Sequence, residues 1–319
     1  MPGSGIRTFL DPDLYETSLR RAQIDVIVIP RDGFKARLTW VELHHLQLLR
    51  CEEDFPRIGY LSFPPWLVFI AFPVNSLARW RGAELQSGDV MLHSLGERLH
   101  QTTAGSSIWN VIALSPAQLE EYGRVLLGKP LSPPPEGRVL RPLRRDAARL
   151  RRLYTQACRL AETKPKFLAH PEVARAVEQD LIHALMTCLT ASTTRIDGFA
   201  RRHHAMIMVK FEEVLAEQLG QPLHMPELCE LIGVSEKTLR SCCAEFLGIS
   251  PSRYVMRRRL KQVRRALCDA DPLQANVAEL ARRYGFTQLG RFAGAYRANF
   301  GEAPSATLQR PPETRFTSP

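Results

Sequence analysis

Short apolar runs separated by turn residues fill the chain from about residue 20 to residue 115. Runs of this length, rich in β-branched and aromatic residues and bounded by Gly, Pro or Asp, predict the strands of an antiparallel sandwich or barrel. The clearest runs are Ile24–Ile29, Arg37–Leu43, Trp66–Phe72, Asp89–Leu92 and Ile108–Leu114. We therefore expect residues 1–128 to form a β-rich domain.

The pattern changes at the proline-rich stretch 129–137, which neither a helix nor a central strand can absorb. Beyond it, apolar residues recur at steps of three and four, which predicts two helices: Leu150, Leu153, Ala157 and Leu160, then Val173, Val177, Leu181, Leu185 and Leu189. Residues 129–190 are thus predicted to form an antiparallel helical hairpin. Its apolar stripes can cover the chain's own sheet or a second copy of the chain, and periodicity does not decide between the two.

An internal repeat marks the last hundred residues. After a polar connector at 191–204, residues 227–235 match residues 279–287 at an offset of 52, which becomes 53 further on. Gly248 and Pro251 therefore align with Gly301 and Pro304. One residue has been added in the second copy without loss of register. Helical patterns continue to about residue 308, and we expect 309–319 to be a disordered tail.

Each copy has the pattern of a helix-turn-helix. A short amphipathic helix ends at a glycine, Gly233 or Gly285, where a positive φ lets the chain turn. The hydroxyl residue that follows, Ser235 or Thr287, is suited to cap the next helix, at about 236–247 or 288–300. Two matching copies in one segment favour DNA binding over a plain helical hairpin.

A basic helix is predicted between the two copies. Over 252–268, apolar residues repeat along one face, at Met256, Leu260, Val263 and Leu267, while arginine and lysine cover the rest. Seventeen residues span roughly 25 Å, which would place the two motifs about one DNA turn apart. The charge agrees, because residues 223–319 carry 15 basic and 9 acidic side chains in a chain of net charge +10. Such a balance favours an anionic partner.

The segment 205–308 resembles the DNA-binding domain of the AraC/XylS family of bacterial transcription regulators. The residues that carry the resemblance are 233–240, 248–254, Arg259-Leu260, 285–287, Phe292, Tyr296, 299–301 and Pro304. The resemblance implies two helix-turn-helix motifs joined by a linker helix, with recognition helices in successive major grooves. It also implies an N-terminal cupin-like barrel that senses an effector. We therefore expect an α+β chain with an antiparallel β-barrel, a helical hairpin and an all-α C-terminal domain.

The resemblance also assigns DNA contacts. Contacts with bases fall to Lys237, Arg240 and Ser241 in the first recognition helix and to Gln288 and Arg291 in the second. The rest of the second face, Leu289, Gly290, Ala293 and Gly294, offers no hydrogen-bonding side chain, so we infer that this motif reads less sequence. Phosphate contacts are expected from Ser235, Arg257, Arg258, Lys261, Arg264, Thr287 and Arg297.

Four aromatic side chains of the β domain are candidates for an effector pocket: Trp66, Phe69, Trp80 and Trp109. A filled core explains the same pattern and is favoured for any single residue. The adjacent His44 and His45 point to opposite faces of a strand, and His93 and His100 have no obvious carboxylate in register, so we expect neither a metal nor another cofactor.

Three classes of function remain open. The first is a sequence-specific regulator whose partners are double-stranded DNA, RNA polymerase, a small effector and a second copy of the chain. The second is an enzyme, either a cupin oxygenase or a DNA-repair methyl transferase, but neither the metal triad nor the zinc–cysteine cluster appears. The third is a non-specific architectural DNA binder. The chain has no membrane-length apolar run, and its seven cysteines form no C-x-x-C pair, so we expect a non-enzymatic cytoplasmic protein with reduced thiols.

Overall fold

The computed structural model describes residues 2–19, 22–28, 34–74, 78–190, 192–195, 199–218 and 224–310. The strands are β1 (Gly3–Phe9), β2 (Gln23–Val28), β3 (Ala36–Glu42), β4 (Gln47–Glu53), β5 (Arg57–Ser62), β6 (Val68–Pro73), β7 (Ala78–Trp80), β8 (Ala83–Glu84), β9 (Val90–Leu92), β10 (Arg98–Thr103), β11 (Ser107–Leu114), β12 (Arg138–Pro142) and β13 (Ser192–Arg195). The helices are α1 (Pro12–Ser18), α2 (Pro116–Leu127), α3 (Arg144–Thr163), α4 (Pro165–Leu168), α5 (Pro171–Thr190), α6 (Phe199–Glu217), α7 (Met225–Ile232), α8 (Glu236–Leu247), α9 (Pro251–Asp269), α10 (Val277–Arg283), α11 (Leu289–Phe300) and α12 (Pro304–Gln309).

The strands form two antiparallel sheets. Sheet A has the order β1-β3-β4-β11-β6-β9-β12-β13, and sheet B has the order β2-β5-β10-β7-β8. This confirms the predicted α+β class with an antiparallel N-terminal domain. Within the described ranges the hydrogen-bonded ladders of the two sheets do not join. The domain is therefore built from two facing antiparallel sheets, which agrees with the predicted cupin-like domain, although the described strands do not close into one barrel.

The space between the sheets is filled by alternate side chains of each strand, as the period of two requires. Phe69, Met91 and Trp109 of sheet A meet Leu61 and Leu99 of sheet B there. The short helix α1 joins this core through Tyr15, which is fully buried. The N-terminal helix is thereby part of the sandwich, and Leu14 packs against the same core.

The helical hairpin α3–α5 covers the outer face of sheet A. Leu150, Ala157 and Leu185 pack into the same core as Leu48 and Ile112, which point outward from the sheet. The hydroxyl of Tyr154 lies 2.8 Å from the carbonyl oxygen of Leu49, which fixes the position of α3 on the strands. Of the two partners the sequence left open, the apolar stripes use the chain's own sheet.

The outer face of sheet B carries the C-terminal helices. Ile27 and Ile58 point away from the sandwich and share a core with Phe211 of α6 and Phe246 of α8. The molecule therefore has four layers: hairpin, sheet A, sheet B and helical domain. Because β10 and β2 lie in this contact, polar residues on their outer faces meet the C-terminal domain directly.

Two segments, the connector and the tail, differ from expectation. The connector predicted at 191–204 contains β13, which pairs with β12, and α6 begins at Phe199. The tail predicted from residue 309 is ordered at its start, because Gln309 ends α12 and Arg310 forms an ion pair with Glu302. Residues 311–319 lie outside the described part of the chain. None of the helices described is long and apolar enough to cross a membrane.

Candidate DNA-binding surface

The first helix-turn-helix forms as its sequence predicts. Helix α7 ends at Gly233, whose φ of +81° is the left-handed conformation that a glycine tolerates best. The N–H of Gly233 bonds the carbonyl of Cys229 at 2.9 Å, which closes the helix. Ser235 then caps α8, since its hydroxyl accepts the N–H of Thr238 at 3.1 Å. The turn between the helices is thus fixed by local hydrogen bonds.

Helix α8 presents one polar face to solvent. Lys237, Arg240 and Ser241 are exposed and lie on the same side of the helix, while Leu239 and Phe246 are buried on the other. The guanidinium of Arg240 is bound by Glu236, with Nε 3.1 Å from Oε1. The structure therefore brings the three residues predicted to contact bases together on one accessible face. To donate hydrogen bonds to a guanine, Arg240 would have to release the carboxylate of Glu236.

The second helix-turn-helix has the same plan with a different cap. Gly285 turns the chain with a φ of +82°, but Gln288, not Thr287, occupies the N-cap position of α11, and its side chain makes no capping bond. The capping predicted for Thr287 is wrong, because the residue added in this turn moves the start of the helix by one position. A cap that the sequence analysis missed lies earlier, where Asn276 accepts the N–H of Ala278 at 2.8 Å.

The outer face of α11 is sparse. Gln288, Arg291 and Arg297 are exposed, and the positions between them include the exposed Gly290 and Gly294. On the inner face, Phe292 and Tyr296 are buried, and the Tyr296 hydroxyl donates to Thr307 Oγ1 at 2.8 Å. A face with two glycines offers close approach to a groove but few hydrogen-bonding groups.

The linker helix α9 belongs to the cores of both motifs. Tyr254 near its start packs with the first motif, whereas Leu260, Val263 and Leu267 pack with the second. Met256, which was predicted to join this stripe, is 45% exposed. Nineteen residues at about 1.5 Å per residue make a rod of roughly 28 Å. One continuous helix thereby sets the separation of the two recognition helices.

Three cations of α9 are paired with carboxylates of the N-terminal domain. Lys261 is paired with Glu16 and Asp25, and Arg264 is paired with Asp11 and Asp13. Arg265 adds contacts with Asp13, Glu16 and Asp25. These acidic residues lie in β2, in α1 or directly before α1, more than 230 residues from their partners in the sequence. No local sequence pattern could therefore predict the pairs.

Burial sets the charge states in this cluster. Burial raises the pKa of Glu16 to about 7, although Lys261 opposes the shift. Burial also acts to raise the pKa of Asp25, but Lys261 outweighs it and brings that pKa down to about 2. The nearby carboxylates raise the pKa of Arg264 above its ordinary value. The cluster therefore leaves Glu16 as a group that titrates near neutral pH.

A second polar network crosses the same interface. Glu212 of α6 is buried and bound by His100 Nε2 at 2.8 Å, by the Tyr254 hydroxyl and by the Arg258 guanidinium. Burial, reinforced by Arg258, lowers the pKa of His100 to about 3. The imidazole is consequently neutral at physiological pH. The network ties sheet B to both α6 and the first turns of α9.

These pairs bear on the expected phosphate contacts. Lys261 and Arg264 are engaged by carboxylates of the N-terminal domain, so they reach a duplex only if the domains separate. Arg258 is engaged by Glu212 of α6 within the helical domain itself. Arg257 is also buried, at 7% exposed. Ser235, Thr287 and Arg297 are exposed near the recognition helices, where phosphate contact remains a prediction.

The predicted effector pocket is only partly assembled. Phe69 and Trp109 line a cavity of about 60 Å³ between the sheets. Trp80 is buried in the core that surrounds the cavity but is not part of the wall. Trp66 is 69% exposed. Its assignment to the pocket is wrong, because it lies in the turn before β6, where the alternation of the strand does not yet apply.

The cavity has a polar wall that sequence reasoning missed. Arg57 is buried, with Nε bound to Glu53 at 2.7 Å and Nη2 bound to Gln101 at 2.9 Å. Its Nη1 and the Nε1 of Trp109 have no hydrogen-bond partner in the part of the chain that the structure describes. The one signal in the sequence was weak: Arg57 is a charged residue at an inward-facing position of a mostly apolar strand. Cys51 also lines the cavity, and burial raises the pKa of its thiol to about 12.

The histidines weighed as metal ligands are hydrogen-bonded to the protein. His93 Nδ1 lies 2.9 Å from Glu97, a carboxylate that sequence reasoning did not place in register, and His44 Nε2 lies 2.9 Å from the carbonyl of Pro171. Among the described residues no group of three His, Cys, Asp or Glu side chains is arranged to hold a metal ion.

The family comparison matches the doubled motif. Residues 228–310 fit a model described as a helix-turn-helix domain. Together with the geometry above, this makes the C-terminal part of the chain a DNA-binding domain of the AraC/XylS type.

Curated relatives share this part of the chain. A probable thc operon regulatory protein of Rhodococcus erythropolis is 38% identical over 100 residues, which are 31% of this chain and 30% of the relative. An XylDLEGF operon transcriptional activator of Pseudomonas putida is 37% identical over 103 residues, 31% of each chain. The chain thus matches less than a third of the length of these relatives. Among solved structures, the AraC-like transcriptional activator CuxR aligns with 81% of this chain and 94% of its own, at 15% identity and a TM-score of 0.43.

Proposed function

We propose that the chain is a sequence-specific transcription regulator of the AraC/XylS type. The observation that carries this proposal is the presence of two exposed recognition faces, on α8 and α11, joined by one rigid linker helix. That spacing suits two successive major grooves of one duplex. The curated relatives that share the domain are named as operon regulators, which supports the same function. We assign the chain no catalytic activity.

The two motifs divide the work unequally in this proposal. Lys237 and Arg240 offer donors to guanine O6 and N7, and Ser241 serves several bases. On the second helix, only Gln288 and Arg291 can hydrogen-bond to base edges. Contacts with the phosphates of the DNA would come from Ser235, Thr287 and Arg297, and these contacts supply affinity without sequence information.

The N-terminal domain is proposed to sense a small molecule in the cavity between the sheets. The support is chemical: two residues of the cavity wall carry buried donors, Arg57 Nη1 and Trp109 Nε1, that have no partner among the described residues. An unpaired buried donor is costly, and a ligand with an acceptor oxygen would relieve that cost. Dimer formation and contact with RNA polymerase are further proposals, which the length of the bound site and a polymerase pull-down test.

The test is selection of bound duplexes from a random pool with the full chain at physiological salt. We expect an enriched site about two helical turns long, better defined in the half that α8 reads. A doubled site would add dimerisation. Binding without enrichment that collapses as salt rises would instead mean a non-specific architectural protein. The same selection with an Arg240→Ala variant should lose definition at one base position of the site. Arg283→Ala, which removes an exposed arginine away from α8, is the matched control and should leave the selected sequence unchanged.

A further inference from the structure

One side of the linker helix carries a row of three cations directed at the N-terminal domain. Arg257, Lys261 and Arg264 are four and three residues apart, so they lie on one face of α9. Lys261 and Arg264 each meet two carboxylates of the N-terminal domain. Arg257, one turn earlier in the same row, has no ion pair with any residue of the described ranges. Two of the three cations of the row therefore have carboxylate partners among the described residues, and Arg257 has none.

The environment of Arg257 makes this mismatch costly. The side chain is 7% exposed, and its Nη1 has no hydrogen-bond partner among the described residues. Burial lowers the pKa of this guanidinium, and the neighbouring Arg253 lowers it further. A buried cation without a counter-charge attracts an anion strongly, since little solvent screens it.

Arg257 lies in the wall of a wide cleft at the boundary between the two domains. The cleft has a volume of about 540 Å³ and separates the N-terminal domain from the second helix-turn-helix. Arg297 of α11 lines it as a second cation, which forms no ion pair within the described ranges. The carboxylates of the wall, Asp11, Asp13 and Glu302, are already paired with Arg264 or Arg310. Leu10, Phe34 and Phe300 give it apolar walls. The cleft thus combines a cationic corner with room for an apolar body.

We propose that this cleft binds a small organic anion, with its charged group at Arg257 and Arg297 and its apolar body against Phe34 and Phe300. The site is separate from the cavity between the sheets, which shares no wall with it. A DNA phosphate is the less suitable anion, because the N-terminal domain closes the cleft on the side of Arg257. Inorganic phosphate alone would leave the apolar walls unused.

Such a ligand would bridge two parts that otherwise touch mainly through charges. The first motif packs on sheet B through a shared apolar core. The second is joined to the N-terminal domain by ion pairs at the rim of the cleft, such as Arg310 with Asp11 at 3.7 Å. An anion in the cleft adds a contact from Phe300 at the end of α11 to Phe34. The inference depends on the fold alone, so its test needs no DNA.

The experiment measures binding of three probes to the full chain by calorimetry and thermal shift. The probes are 3-phenylpropionate, the uncharged 3-phenylpropanol of similar shape, and inorganic phosphate. We expect 3-phenylpropionate to bind and raise the melting temperature, and the alcohol and phosphate to bind at least about tenfold more weakly, because each lacks half of the recognition.

Variants locate the site. Arg257→Gln should weaken 3-phenylpropionate by about tenfold or more, whereas Arg253→Gln, on the same helix and outside this cleft, should keep affinity within about threefold. Leu10→Ser, a change at an exposed position of the rim, should weaken the acid without affecting phosphate. Equal binding of acid and alcohol, or full affinity in Arg257→Gln with loss in Trp109→Phe, would overturn the proposal. The latter result would place the anion between the sheets.

Discussion

Replacing Lys261 by methionine tests the contact between the two domains most directly. The Nζ of Lys261 bonds the carbonyl of Val26 at 2.7 Å and is paired with Glu16 and Asp25. Methionine preserves most of the volume of the side chain but removes the charge and all three donors. Two carboxylates would then face each other in a site where Lys261 is 6% exposed.

The structure sets the size of the effect. Removing one partner of a buried ion pair costs about 3–5 kcal/mol, because the remaining charge is left uncompensated. Here the loss is limited, because Arg265 still contacts Glu16 and Asp25. Burial also holds the pKa of Glu16 at about 7, so that a proton can replace the lost cation. We therefore expect Lys261→Met to lower the free energy of unfolding by about 3 kcal/mol at pH 8 and by clearly less at pH 5.5.

Urea unfolding of the full chain at the two pH values measures this difference. Lys237→Met is the matched control, because Lys237 is exposed on α8, and the same change there should stay within about 0.5 kcal/mol. A loss under about 1 kcal/mol at pH 8, or a loss that grows as the pH falls, would refute the reasoning. Either outcome would mean that the acidic cluster does not hold the linker helix in solution.

Three further predictions concern the DNA contacts and the pH response. Arg240→Ala should cost about 1–3 kcal/mol in DNA affinity and relax one base position, whereas Arg297→Ala should weaken all sequences alike; duplex selection separates the two. Glu236→Gln should strengthen specific binding modestly, as titrations would show, because it frees Arg240 from its carboxylate. The folded pKa of His100 lies below its unfolded value, so the unfolded state takes up the proton and stability falls as the pH drops below about 6.5. Glu16 has the opposite sign: stability is lost as the pH rises from about 4.5 to 7. The free energy of unfolding, plotted against pH, should therefore change slope in opposite directions in His100→Gln and in Glu16→Gln.

Local patterns predicted the elements that local forces build. The glycine and hydroxyl pair at Gly233 and Ser235 fixes a turn through bonds within a few residues, so the sequence carries the whole signal. The same holds for the apolar steps of α3 and α5, although only the structure shows which surface they cover. Where one residue was added, at Thr287, the pattern alone placed the cap one position too early.

Long-range charge pairing could not be predicted in this way. The arginines of the linker helix read as a solvated or DNA-facing surface, because the carboxylates that meet them lie in α1 and β2 at the other end of the chain. The wall formed by Arg57 was hidden for a related reason. A buried cation depends on Glu53 and Gln101, and the latter lies on a strand that becomes a neighbour only after the sheet forms.

The two interface networks give the recognition helices different ties to the N-terminal domain. Glu212, bound by His100, lies within a continuous apolar core, so the first motif and sheet B are expected to move as one body. The second motif is joined by the acidic cluster and by the cleft beside Arg257, contacts that salt, protonation of Glu16 or an anion can change. Any signal from the N-terminal domain would then act mainly on the placement of α11. This helix is also the one whose glycine-rich face we expect to read fewer bases, so its contribution to affinity should depend on its position more than on side-chain chemistry. In a regulator built in this way, α8 would determine which DNA sequence is bound, and the position of α11 would adjust the affinity.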